Sequence, residues 1–127
     1  MPAPHSFDYA IIRVIPRLER GESMNAGVVL YCRTKRFLAA PTYCDIQRLR
    51  MLDPHCDVAS VTEHLTLFSG IARGEQAFGP IAQLPIADRF HWLVAPRSTI
   101  IATSAVHCGV CHDPVETLQA LMHKLVY

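Results

Sequence analysis

The chain has 127 residues, half of them apolar, with 12 Lys and Arg set against 11 Asp and Glu for a formal net charge of +1. That length suits a single domain, residues 1–127, able to bury roughly two thirds of its unfolded surface, and so apolar a composition excludes a disordered chain. The charges are interspersed without a basic stripe, which disfavours a nucleic-acid partner.

In chain order, Phe7 to Ile15 reads as a first strand with apolar residues on both faces, hence central and covered twice. Arg13 interrupts it, and an arginine there calls for a ligand or a carboxylate such as Glu22. Arg17 to Met24 is a charged loop, and the chain centres on its run through Arg20-Gly21-Glu22 into Asn25 to Cys32, the second strand. Arg33-Thr34-Lys35 turns into a third strand, Arg36 to Thr42, where the cluster of Arg33, Lys35 and Arg36 suits a solvated hairpin tip. Asp45 is placed to cap a short helix carrying Ile46, Leu49 and Leu52 and stopped by Pro54. Val58, Val61, Leu65, Phe68 and Ala72 keep helical spacing, with Ser60-Val61-Thr62-Glu63 as a late capping box and Gly70 and Gly74 bracketing the end.

Gly74 to Leu84 reads as a loop. Pro85 then opens a short helix with Ile86, Phe90 and Leu93 inward, ended by Pro96. Thr99 to Val106 is the fourth strand. Asp113 and Pro114 open a last helix whose stripe is Val115, Leu118, Leu121, Met122, Leu125 and Val126. The sum is a single α+β domain: an antiparallel sheet of about four strands, helices packed mainly on one face, and an amphipathic C-terminal helix.

The uncharged run Ser98 to Cys111 falls short of the ~20 residues of a membrane helix, so no membrane is expected. Residues Met1 to Ser6 carry neither the basic nor the apolar part of a secretory signal. Five scattered cysteines, an odd number, then predict reduced thiols in the cytoplasm.

Cys108-Gly109-Val110-Cys111-His112 has the spacing of a haem attachment site, but that chemistry requires export. Its thiols and imidazole also suit zinc, with Cys44, Cys56 or His91 to complete the set. Four ligands from one short turn are cramped, so no metal and no cofactor is expected; were an ion bound, Cys108, Cys111 and His112 would be its ligands. A strand-to-helix turn accounts for the segment. There is no Gly-x-Ser-x-Gly elbow, no phosphate loop and no Gly-x-Gly-x-x-Gly. Phe90 to Thr99 holds the only tryptophan, Trp92, ahead of a Pro-Arg-Ser turn. Arg97 there offers a bidentate donor for an anion or a backbone carbonyl, and Ser98 and Thr99 add hydroxyls.

Tyr9-Ala10 through Arg13, Arg20-Gly21-Glu22 and Asn25-Ala26-Gly27-Val28-Val29-Leu30 together resemble the bacterial DUF3037 family. Gly79-Pro80-Ile81, Arg89-Phe90-His91-Trp92-Leu93, Pro96-Arg97-Ser98-Thr99, His107-Cys108-Gly109 and Asp113-Pro114 extend the resemblance over nearly the whole chain. The family pattern does not usually hold cysteine at positions 108 and 111. The resemblance carries no assigned activity, but family genes often stand beside those of HipA-like kinases, which implies a kinase partner. Its recurring polar residues fall on Arg13, Glu22, Asn25, Arg97, Ser98 and His107; all of these but His107, together with Trp92, form the expected contact set.

The leading expectation is a small cytoplasmic accessory module that binds such a kinase, with self-association as a further option. The alternative is a small hydrolase or transferase around Glu22, Asn25, Arg97 and His107, with Glu22 or His107 as acid or base. A shared deep pocket would favour the enzyme and a flat apolar patch the module.

Overall fold

The computed structural model describes residues 3–97 and 99–127. Its elements run β1 His5–Val14, β2 Met24–Cys32, β3 Phe37–Ala39, α1 Ile46–Leu52, α2 Val58–Arg73, α3 Ile86–Val94, β4 Ile101–Thr103, β5 His107–Cys111 and α4 Pro114–Leu125. All the strand pairs are antiparallel, and the described strands make one open α+β sheet in the order β3-β2-β1. The far edge of β1 is shared, β4 pairing with Ile12 to Val14 and β5 with His5 to Tyr9.

The fifth strand lies where the sequence suggests a turn. Ile101 to Cys111 is in effect one strand interrupted at Ser104, and the interruption is hydrogen-bonded. The Ser104 N–H donates to the Ile11 carbonyl at 2.9 Å, and its Oγ accepts from the Ile11 N–H at 2.9 Å. The side chain thus stands in for a ladder carbonyl while the chain steps aside and resumes.

The two faces are covered by different helices. Ile12, Val14, Val29, Tyr31, Leu65, Phe68, Phe90 and Leu93 belong to the larger cluster, under α1, α2 and α3. Phe7, Val28, Leu30, Cys32, Cys111, Leu118, Met122 and Val126 form the second, under α4. With both faces covered, β1 and β2 are apolar on both, as their sequences require.

Several boundaries differ from expectation for local reasons. β3 is three residues long, not seven, because Arg36 still belongs to the turn with φ 50 and the strand gives way before Pro41. α2 is capped by Asp57, whose carboxylate accepts the Ser60 N–H at 3.1 Å; Ser60 to Glu63 lies inside the helix and is not its cap. Gly74 closes α2 in the left-handed region at φ 72, while Gly70 stays within it. The expected loop before α3 contains two short 3₁₀ turns, Gln76–Phe78 and Pro80–Gln83. Asp45 and Asp113 cap α1 and α4 through the N–H groups of Gln47, Arg48 and Val115.

Candidate functional site

A bulge in β2 decides which way the polar residues face. Ile12 pairs with Gly27 and Arg13 with Asn25, so Ala26 is the extra residue. Beyond it Val28, Leu30 and Cys32 face α4; before it Met24 and Ala26 face the other helices. This one-residue phase change turns Asn25 toward α4, where its Nδ2 donates to the Leu125 carbonyl at 2.9 Å. The Asn25 amide therefore serves a carbonyl in the last turn of α4, a group with no partner inside its own helix. Gly27 belongs here for a steric reason: a Cβ would lie 2.6 Å from the Pro41 carbonyl oxygen, where the chain beyond β3 returns to bridge Gly27 through Thr42. Arg13 is brought beside Asn25 by register.

Glu22 lies in the loop and pairs with Arg20, not with Arg13. The loop is tied to α1 by Arg17, 3.6 Å from Asp53, a buried carboxylate that also accepts the His55 N–H at 3.0 Å. Around this tie the surface is apolar and indented. Met24, Asn25, Tyr43, Asp45, Arg48, Val126 and Tyr127 line a shallow cavity of about 220 Å³. Ser23, Met24, Arg48, Met51 and Leu52 line a second of about the same volume. Tyr43 packs edge-on to Tyr127 at 5.3 Å, and Met51 is 84% exposed.

Arg97 is elsewhere, on the α2 and α3 side. Its guanidinium lies 4.8 Å from the Trp92 ring centre and 5.0 Å from that of Phe68, and its Nη2 donates to the Trp92 carbonyl at 2.6 Å. Burial pulls its pKa below the ordinary value. Trp92 is half-buried against the core beside it. Ser98 lies outside the described residues.

His107 is exposed and stacks on Tyr9, ring centres 5.3 Å apart. Cys108 is exposed, and its thiol donates to Asp8 Oδ1 at 3.0 Å; that hydrogen bond and the carboxylate charge hold the thiol pKa up. Cys111 is buried under α4, and burial raises its pKa, with Cys32 nearby adding to the rise. The expected turn would have gathered these sulphurs. A strand sends residues three apart to opposite faces, so Cys108 and Cys111 cannot share an ion here. His112 stays exposed, and among the described residues no group of three His, Cys, Asp or Glu is placed to hold a metal.

Convergence thus holds for Arg13 and Asn25 but not for the wider set. Asn25 faces α4, Arg97 packs on the opposite side, Glu22 sits in the exposed loop, and His107 lies on β5. The surface residues that sequence reasoning missed are Leu18, Tyr43, Arg48, Met51 and Tyr127. Met51 alone left a signal, an apolar residue off the Ile46-Leu49-Leu52 stripe.

These features define a small α+β domain on an open, two-edged sheet, and among the described residues no helix is long and apolar enough to cross a membrane. Residues 9–126 match the family described as "Protein of unknown function (DUF3037)", and the chain belongs to it. No curated protein and no solved structure matches the chain.

Proposed function

We propose that the protein is a small accessory module of the cytoplasm that binds another protein, a HipA-like kinase, through the end of the domain where the Arg17–Ser23 loop, α1 and the last turn of α4 meet. One observation carries this reading: Tyr43, Met51 and Tyr127, all large and 49–84% exposed, are grouped there with Arg48 around two shallow cavities. Aromatic residues, methionine and arginine are the types enriched at interface centres, and shallow hollows rimmed by polar groups suit docking better than catalysis. Asn25 supports the surface from beneath, and the Arg20–Glu22 pair forms its charged rim. Pro96 and Thr99, both exposed, offer a second point of contact beside Arg97. The hydrolase or transferase alternative asks Glu22, Asn25, Arg97 and His107 to work on one substrate, and their placement on different faces weighs against it.

Affinity purification from the native host, with mass spectrometry of the eluate, is the test. A single stoichiometric kinase-like partner is expected, and Met51→Asp should weaken its capture about tenfold or more while leaving the melting temperature unchanged. A protein that elutes alone would overturn the reading.

A further inference from the structure

We infer that the outer edge of β5 is a self-pairing edge, on which a second copy of the chain docks antiparallel about a two-fold axis at Gly109. Among the described residues no strand covers this edge, since β5 pairs only with β1. Exposed edges are ordinarily guarded by charges, proline or brevity. The opposite edge of the sheet has all three: β3 is three residues long, follows Arg33, Lys35 and Arg36, and gives way before Pro41. The β5 edge, five residues long, has neither charge nor proline within it. Ser98 to Cys111 contains no Asp, Glu, Lys, Arg or Pro, and Val106 and Val110 are 42% and 68% exposed.

The occupant follows from complementarity. Antiparallel pairing centred on Gly109 sets His107 opposite Cys111 of the second copy, and Cys108 opposite its Val110. His107 stands on the α4 side, stacked on Tyr9. In the paired arrangement it approaches the N-terminus of α4 in the other copy, where Asp113 and Glu116 are exposed. The two-fold makes this imidazole–carboxylate match twice. On the other face each copy's exposed Val110 meets the other copy's Cys108. Pairing would join two five-stranded sheets into one, satisfying the outward backbone groups of β5. So short a strand with small side chains makes an interface at the low end of the size range, so the dimer is weak and its population depends on concentration.

Two measurements on the full chain test this. In light scattering after gel filtration, from about one to several hundred micromolar, the mass should climb from the 14.2 kDa of one chain towards twice that value. Val110→Lys, at an exposed position, should stay at the single-chain mass throughout with unchanged circular dichroism. Amide hydrogen exchange on the unmodified protein should slow over residues 105–111 by severalfold between the lowest and highest concentrations. A wild-type chain that stays monomeric overturns the inference. So does a dimer that survives Val110→Lys, or one that forms without added protection over 105–111.

Discussion

Arg97 lies over two neighbouring aromatic rings with its Nη2 on the Trp92 carbonyl, and that geometry resolves a choice its sequence left open. A Pro-Arg-Ser turn after a tryptophan announces an arginine with a job. Whether the guanidinium serves a backbone carbonyl or an anion depends on which loops fold near it, and no local pattern contains that. Arg97→Ala should therefore lower stability by about 1–3 kcal/mol, the sum of the lost ring contacts and one hydrogen bond. Arg97→Lys should recover only part, because an ammonium lacks the planar face. Urea unfolding followed by the fluorescence of Trp92, the sole tryptophan, measures both. Equal capture of the partner by the folded Arg97→Ala protein would assign the residue to the fold alone.

At the scale of elements, the β2 bulge is the decisive feature. Simple alternation puts Asn25 with Val29 and Tyr31, on the face of α1 to α3. The extra residue at Ala26 reverses this and hands the amide to α4. Asn25→Ala should cost about 1 kcal/mol by leaving the Leu125 carbonyl without this donor. Asn25→Asp should cost more, since a carboxylate would face both that carbonyl and the negative end of the α4 dipole. Chemical denaturation gives the order, and faster amide exchange in the last turn of α4 would locate the effect. Gly27 was visible in the sequence as a glycine in a strand, but its reason, the Pro41 carbonyl, came from a segment fourteen residues further on. Similarly, the small residues and Cys-x-x-Cys-His spacing of the β5 segment suit a turn as well as a strand. Only the pairing with His5 to Tyr9 makes it a strand.

Across the whole molecule the free thiols give stability a pH dependence. Burial raises the pKa of Cys44, Cys56 and Cys111, with Cys56 also acting on Cys44. Below the ordinary thiol value of about 9 both folded and unfolded chains keep these protons, and the stabilisation is fully present. Above it the unfolded chain releases them first, so unfolding releases protons and stability falls as pH rises toward the folded-state values. The melting temperature should accordingly decline from about pH 9 upward. The decline should be shallower in Cys44→Ala, as a thermal scan from pH 7 to 10.5 would show. A decline of the same slope in that variant would remove Cys44 from the account.

The sequence by itself determined the α+β class, the helix caps at Asp45 and Asp113, the apolar stripes apart from Val115, which the structure leaves exposed, and the family, because each of these rests on periodicity, capping chemistry or motif spacing within a short stretch. Tertiary structure alone decided which polar residues meet. Asn25 found Leu125 a hundred residues away, and Cys108 found Asp8 at the same separation. The β2 bulge brought Asn25 to Arg13, while Glu22 stayed in its loop, Arg97 lay under the opposite face and His107 met Tyr9 further along β1. Facing is a property of register, and register is established only when strands distant in sequence pair.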